Sequence, residues 1–184
     1  MLSTLYSVGI TGEDAYVVTA DCSAWDRIPK FELLGLPKAT ADQVKKRIQR
    51  ACECSGYAFP PLEIVINLTP ADIKKESAAF DLAILCAIFQ CDGLIPEDYD
   101  FSDKCLLGGL SLSGDVLSVS DIMSRIMAAK RSGKREIFVP IDNINEISAI
   151  DGIHVFCVKN ICQLVKHICG IELIESTTHL NSKL

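Results

Sequence analysis

One segment of the chain, residues 63–83, combines side chains that could act as a nucleophile and as a base. It reads EIVINLTPADIKKESAAFDLA, a pattern that predicts a buried strand, a proline-centred turn, a charged step and an apolar helix. Ser77 supplies a hydroxyl, and Lys74 and Lys75 lie shortly before it. A serine–lysine dyad needs an exposed hydroxyl and a partly desolvated lysine that accepts its proton. Ser77 with Lys74 or Lys75 is therefore the candidate for serine hydrolase chemistry.

Three acidic residues of the same segment admit acid–base or metal chemistry as well as a structural role. They are Asp72, Glu76 and Asp81. A carboxylate near the start of a helix is stabilised by the positive end of the helix dipole, which accounts for Glu76 and Asp81 without catalysis. No histidine lies nearby in the sequence to complete a metal site. Helix capping is the favoured interpretation, and we predict no metal site.

The nine cysteines and three histidines do not follow a disulfide or zinc pattern. An odd number of cysteines without a secretion signal argues against a disulfide framework. The cysteine spacings C-x-C and C-x4-C-x6-C differ from those of zinc ribbons and zinc fingers, and the histidines do not pair. Cys52, Cys86 and Cys162 lie among apolar neighbours, where a thiol packs as a small hydrophobe. We therefore predict reduced, structural cysteines.

Two clusters of basic residues could contact DNA or a neighbouring subunit. The net charge of −6 is unfavourable for a stand-alone nucleic-acid-binding protein, because phosphate contacts need clustered cations. No aromatic residues alternate with these cations to form a stacking platform for single strands. Solvated helix faces, offset by Asp42 and Glu53, are the simpler interpretation. The candidates are Lys38, Lys45, Lys46, Arg47 and Arg50 in the first cluster and Lys130, Arg131, Lys134 and Arg135 in the second.

The elements that must position these side chains form one α+β (α/β) domain. With 184 residues, 49% of them hydrophobic, the chain can bury a substantial core. Strands are predicted at 14–22, 31–34, 64–68, 105–111, 116–119, 136–139 and 153–158. Helices are predicted from Thr40, where Thr40-x-x-Gln43 resembles a capping box, and at 79–91, 121–132, 143–150 and 160–169. Early strands around a helix, followed by alternating strands and helices, are typical of this fold class.

The ends of the chain and its longest apolar run bear on domain bounds and location. Residues 173–184 are polar and predict a tail or linker, so that the domain comprises residues 1–172. The apolar stretch Phe80–Phe89 is too short to cross a bilayer, which needs about 20 residues. The N-terminus lacks the pattern of a signal peptide. We expect a cytoplasmic protein without membrane contact.

Several blocks, in order along the chain, resemble the N-terminal domain of the ComM/magnesium-chelatase-like AAA+ ATPases. One of them is NL-x-PAD-x-KKE…FDL within residues 63–83. The others are FELLGLPKATADQVKKRIQRACECSGYAFP, CLLGGLSLSGDVLSV and AAKRSGKREIFVP. Gly109 stands where the third block usually has glutamate. The resemblance covers roughly residues 1–170 and implies the fold of the Lon protease catalytic domain, a mixed sheet packed with helices.

The resemblance also implies which positions would carry Lon-type chemistry. The serine position falls on Ala79, which has no hydroxyl, and the lysine position falls on Met123, which cannot act as a base. The phosphate-binding loop G-x-x-x-x-G-K-[ST] of the family is absent from this chain, because Gly133-Lys134 is followed by Arg135. ATP and magnesium would therefore belong to an AAA+ module outside these residues.

The function implied by the resemblance is that of a non-catalytic, Lon-like domain of a ring-shaped motor. It would serve ring assembly, substrate guidance or DNA contact, in a family whose hexamers drive branch migration during natural transformation. Its partners would be its own AAA+ module, further copies of the chain and DNA. Two alternatives stay open: a residual serine hydrolase that uses Ser77, and a stand-alone nucleic-acid-binding module.

Overall fold

A four-stranded sheet occupies the N-terminal half of the protein. The computed structural model describes residues 1–71 and 78–177. The strands are β1 (Leu2–Thr11), β2 (Asp14–Trp25), β3 (Lys30–Leu34) and β4 (Glu63–Thr69), in the order β1-β2-β4-β3. β2 is antiparallel to β1 and β4, and β3 is parallel to β4.

β1 is the strand that the sequence analysis did not predict. Its buried positions include Ser3 and Ser7 beside Leu5 and Val8, so the alternation of apolar and polar residues is weak. The two-residue connection to β2 contains Gly12, with a φ of 62°. A positive φ in a two-residue hairpin loop matches the right-handed twist of the flanking strands.

The helix α2 (Asp81–Asp92) lies at the centre of the protein. All of its residues from Asp81 to Cys91 are buried, because it is apolar around its whole circumference and packs on β1 and β2. The predicted helix at 79–91 is confirmed, except that Ala78–Phe80 form a 3₁₀ turn before it. Gly93, in the left-handed conformation, ends the helix.

The helix α1 (Lys38–Cys54) packs against the rest of the protein through a single apolar stripe. Val44, Ile48 and Ala51 are buried, as the apolar periodicity predicted. The predicted capping box is wrong. Pro37 occupies the N-cap, no side chain bonds the first amides, and Thr40 already lies inside the helix.

A second sheet forms the C-terminal half. Its parallel strands are β5 (Lys104–Leu106), β8 (Glu136–Pro140) and β9 (His154–Val158), in the order β5-β8-β9. A small hairpin pairs β6 (Gly109–Leu110) with β7 (Val116–Leu117), as its Ser-Gly-Asp turn predicted. The helices are α3 (Ile122–Arg131) and α4 (Ile161–Ile168).

Two details of this half differ from the predictions. The predicted strand at 105–111 is two strands, β5 and β6, which pair with different partners. The predicted helix at 143–150 is a 3₁₀ helix at Ile141–Glu146, and the residues after it are irregular.

Two hydrophobic clusters hold the elements together, and the mixed sheets packed with helices confirm the predicted α+β class. The first cluster surrounds α2 and takes in α1 and α4. The second lies between α3, β5, β8 and β9 and takes in Val8 of β1. No helix in the described parts of the chain is long and apolar enough to span a membrane.

The packed structure extends beyond the predicted domain boundary at residue 172. Ser176 is buried and pairs with Phe156 of β9, and Ile174 packs against the first cluster. The segment predicted as a polar tail is therefore partly packed. The sequence did not indicate this, because the two inward-facing side chains stand among polar neighbours. The rest of the predicted tail, residues 178–184, lies outside the described residues.

Candidate functional site

Ala79, the position that the resemblance assigns to a serine nucleophile, is part of the packed interior. It lies in the 3₁₀ turn before α2 and is 3% exposed. Its carbonyl oxygen accepts hydrogen bonds from Ser7 Oγ at 3.3 Å and from the Gly108 amide at 3.2 Å. The Gly108 carbonyl in turn accepts from the Leu82 amide at 3.2 Å. These bonds tie the backbone at Ala79 to β1 and to the segment after β5.

Met123, the position assigned to the lysine, lies in the first turn of α3 and packs against the second hydrophobic cluster. It is half-buried and lines a cleft of about 430 Å³ with Glu13, Met127 and Arg131. A thioether has no proton-accepting nitrogen, so this cleft lacks a base at the dyad position. The sequence-based candidates Ser77, Lys74, Lys75, Asp72 and Glu76 lie outside the described residues.

The two dyad positions belong to different packing layers. Ala79 lies in the first cluster, where Ser7 of β1 bonds its carbonyl group. Met123 packs against the second cluster, which contains Val8, the next residue of β1. Consecutive side chains of a strand point to opposite faces. Ala79 and Met123 therefore belong to different hydrophobic clusters.

A fully buried arginine, Arg125, connects α3 to β1 close to Met123. Its Nε donates to the Ser120 carbonyl at 2.8 Å, and its NH1 donates to the Val8 carbonyl at 2.6 Å. Sequence reasoning missed this residue. The available signal was its place in the apolar stripe of α3, beside Ile122 and Ile126, where a charged residue must find buried partners.

Asp81 forms a buried ion pair rather than a helix cap. Its carboxylate is fully buried and accepts from Arg47 Nε at 2.5 Å, from Arg47 NH2 at 2.8 Å and from the Leu110 amide at 3.2 Å. The N-cap of α2 is Phe80, without a side-chain hydrogen bond. Asp81 does lie in the first turn of α2, as the helix-dipole prediction requires, but its carboxylate bonds Arg47 of α1 and the Leu110 amide of β6 and makes no cap.

The charges of this pair stabilise each other against the cost of burial. Burial raises the pKa of Asp81, and the bonds from Arg47 and the Leu110 amide offset part of that rise. The Asp81 carboxylate raises the pKa of Arg47, which keeps the guanidinium charged. Arg47 consequently turns towards Asp81, with 24% of its side chain exposed, and is not the fully solvated cation that was expected.

Lys134 of the second basic cluster is also committed to the interior. It is 7% exposed, its Nζ lies 3.0 Å from the centroid of the Tyr6 ring, and it donates to the Ser102 carbonyl at 2.6 Å. Burial lowers the pKa of this ammonium group. Lys134 therefore does not face solvent as a DNA-contacting cation would.

The remaining basic candidates lie at the surface but do not converge. Arg50 pairs with Glu53 at 3.3 Å, and Lys130 donates to the Asp151 carbonyl at 2.8 Å. α1 packs mainly on β3, α2 and β6, whereas α3 packs mainly on β1 and β2. The two clusters thus lie on different layers. Lys45 is half-buried over the Phe31 ring. In the described chain, the exposed members whose side chains make no hydrogen bond or ion pair are Lys38, Lys46, Arg131 and Arg135.

The described residues contain no group of three or more histidine, cysteine or acidic side chains that could hold a metal ion. The nine cysteines are free thiols. Burial raises the pKa of Cys52 to about 11 and that of Cys105 to about 12, so both are protonated at neutral pH.

Comparison with known proteins identifies a matching family model and several similar proteins. The family model for subunit ChlI of Mg-chelatase matches residues 18–143. The competence protein ComM of Haemophilus influenzae is 29% identical over 183 residues, which cover 97% of this chain and 35% of that protein. YifB of Escherichia coli is 31% identical over 151 residues, 82% of this chain and 29% of that protein.

A protease is also among the similar proteins. The archaeal Lon protease of Methanocaldococcus jannaschii is 34% identical over 166 residues, which cover 90% of this chain and 23% of that protein. The chain spans about a third or less of the length of these curated relatives.

Proposed function

The chain belongs to the family of subunit ChlI of magnesium chelatase, and on this premise we propose that it is a non-catalytic, Lon-like domain of a ComM-like AAA+ protein. Its role is to hold a motor ring together or to contact the ring's partner. ATP and magnesium bind to the AAA+ module of such a protein and not to this domain. The competence protein ComM supports a place in DNA processing, since the similarity to it covers nearly the whole chain.

The observation that carries this proposal is the state of the two dyad positions. Ala79 has no hydroxyl and is buried with its carbonyl group bonded on two sides. Met123 packs in the other layer and offers no base. A nucleophile and a base within hydrogen-bond reach are the minimum for serine–lysine chemistry. The structure at these positions supports a scaffold better than a peptidase.

Labelling with a fluorophosphonate probe tests the absence of this chemistry. We expect no labelling of the wild-type chain and no hydrolysis of a casein substrate. The matched control is Ser77→Ala, because Ser77 is the alternative nucleophile in the sequence. Labelling that disappears in Ser77→Ala would establish the residual hydrolase instead.

The partner contact is proposed to involve the exposed cations at two places on the surface. Lys38 and Lys46 lie on α1, and Arg131 and Arg135 lie at the end of α3 and after it. A neighbouring copy of the chain is favoured over DNA, because the net charge is −6 and the two pairs lie on different layers.

Binding to duplex DNA over a salt series separates the two partners. A protein that neutralises several phosphates loses affinity steeply as salt rises. We expect weak binding that K38E/K46E and R131E/R135E change no more than the control K159E, which alters one exposed cation after β9. A steep salt dependence that only the paired substitutions abolish would establish the nucleic-acid-binding module.

A further inference from the structure

The chain reverses direction after α4 and returns along the molecule. Gly170 follows the helix with a φ of 69°, a left-handed conformation that glycine adopts without strain. The amides of Ile171 and Glu172 both donate to the Lys166 carbonyl, at 2.8 and 3.3 Å. We call residues 171–177 the C-terminal strap.

The C-terminal strap lies along the edge of β9 that β8 leaves free. Ser176 pairs antiparallel with Phe156, and Thr177 Oγ1 donates to the Val155 carbonyl at 3.3 Å. An open strand edge carries unpaired backbone groups that invite another strand. The strap therefore covers part of an edge that would otherwise be available for pairing.

The imidazole of His167 forms a hydrogen bond with the middle of the strap. His167 Nδ1 accepts a hydrogen bond from the Ile174 amide at 2.9 Å. The ring packs against Phe138 and Phe156, with centroids 5.4 and 5.0 Å away. Because a backbone amide can only donate, Nδ1 must be unprotonated for this bond to exist.

The surroundings of His167 favour its neutral form. Burial lowers its pKa, Lys104 of β5 adds to this effect, and Glu136 of β8 opposes it. Glu136 is itself paired with Lys104 at 3.3 Å. On the side of the strap, Lys166 pairs with Glu172 at 3.0 Å. His154, the histidine of β9, is exposed.

We propose that His167 is a protonation-controlled latch, which holds the C-terminal strap on β9 when neutral and releases it when protonated at Nδ1. Protonation places an N–H opposite the Ile174 N–H, so an attractive contact becomes a repulsive one. Release of the strap uncovers the β9 edge. The device does not depend on the function proposed above, since it rests on contacts within this chain.

The direction of the pH dependence follows from the burial of the ring. In the released state the imidazole has its ordinary pKa of about 6.5, and in the latched state its pKa is lower. Acid therefore favours release. Between the two pKa values, the ratio of released to latched protein rises about tenfold for each pH unit of acidification, and it levels off below the lower one.

Amide exchange measured by NMR on the full 184-residue chain tests the latch. The protection factor of the Ile174 amide, corrected for intrinsic exchange, is followed from about pH 7.5 to about pH 5 together with the His167 ring shifts. We expect protection to fall as the pH drops below about 6.5 and to level off below the midpoint of the His167 titration, while amides of α2 stay protected. Protection at Ile174 that stays constant while His167 titrates would overturn the proposal.

Two substitutions isolate the proton. His167→Asn keeps an acceptor oxygen near the position of Nδ1 but does not titrate, so its strap should stay protected across the whole range. His154→Asn removes the exposed histidine and should keep the wild-type dependence. Acid release that persists in His167→Asn, or vanishes in His154→Asn, contradicts the latch. The wild-type titration is decisive by itself if either variant fails to fold.

Discussion

At the scale of single residues, charged side chains in the interior fix the positions of neighbouring elements. Asp81, Arg125 and Lys134 are buried and Arg47 is half-buried, and each is matched by an opposite charge, a backbone group or an aromatic ring. A buried charge without a partner costs several kcal/mol, which is why such groups must be paired. The start of α2 and the first turns of α3 are therefore positioned by polar contacts as well as by apolar packing.

Removing Arg47 should destabilise the protein strongly. Arg47→Ala leaves the Asp81 carboxylate buried without its cation, and we expect a loss of about 3–5 kcal/mol in the free energy of unfolding. Urea denaturation measures this loss. The matched control is Arg50→Ala on the same helix, whose pair with Glu53 is exposed and whose loss should cost less than about 1 kcal/mol. Equal losses in the two variants would contradict the structural role of the Arg47–Asp81 pair.

At the scale of the elements, the connections are as restrictive as the helices and strands. Gly35 joins β3 to α1 with a φ of 87°, and a Cβ placed there would lie 2.3 Å from the Leu68 carbonyl oxygen. That oxygen belongs to β4, so the neighbouring strand cannot move away without disturbing the sheet. Close approach of the backbone is a reason for glycine that is separate from its positive φ.

Substitution at Gly35 should separate these two effects. Gly12 also has a positive φ, but a Cβ there meets nothing within 4 Å. Gly12→Ala should therefore cost only the backbone strain, about 1–2 kcal/mol. Gly35→Ala should cost at least about 2 kcal/mol more, because of the overlap with β4. Thermal and urea unfolding of both variants measure the difference, and equal costs would show that the close approach is not limiting.

The central helix offers a test of its complete burial. Leu85 is 1% exposed within α2, and its truncation to alanine should cost about 2–5 kcal/mol through lost transfer energy and the cavity left behind. Leu112 is 60% exposed in the β6–β7 turn, so Leu112→Ala should change stability by less than about 0.5 kcal/mol. Similar values for the two leucines, measured by urea denaturation, would contradict the central position of α2.

At the scale of the whole molecule, two hydrophobic clusters meet across β1. Ser7 bonds the start of α2 on one face, and Val8 enters the second cluster on the other. This arrangement places the two dyad positions in separate layers. β1 therefore connects the two clusters.

The burial of the thiols gives a measure of this packing. Cys54 is exposed, whereas Cys86 and Cys105 are buried and burial raises the pKa of both thiols. A thiol reacts as its thiolate, so a disulfide reagent should modify Cys54 quickly and the other two only on unfolding. Cys54→Ser should remove the fast reaction. Rapid modification of Cys86 in the folded protein, read by mass spectrometry, would show that the core opens easily.

Local signals were sufficient for much of the fold. Three elements depend on residues that are close together in the sequence, and all three are present. They are the helix α1 with its apolar stripe, the helix α2 with its all-round apolarity, and the turn at Ser113-Gly114-Asp115. β1 was not predicted, because serines occupy some of its buried positions. The family could also be recognised from the sequence, because its motifs are defined by the order of the residues.

Partners that are distant in sequence were decided only by the tertiary structure. The chain by itself predicted the α+β class, and the family resemblance assigned the dyad positions to Ala79, which has no hydroxyl, and to Met123, which has no basic group. It did not reveal that Arg47 turns inward to Asp81, that Lys134 lies on Tyr6, or that His167 holds the C-terminal strap. The physical reason is that a charged residue on a helix looks the same in sequence whether its partner is water or a buried group. Only the packing of separate elements determines which partner it meets.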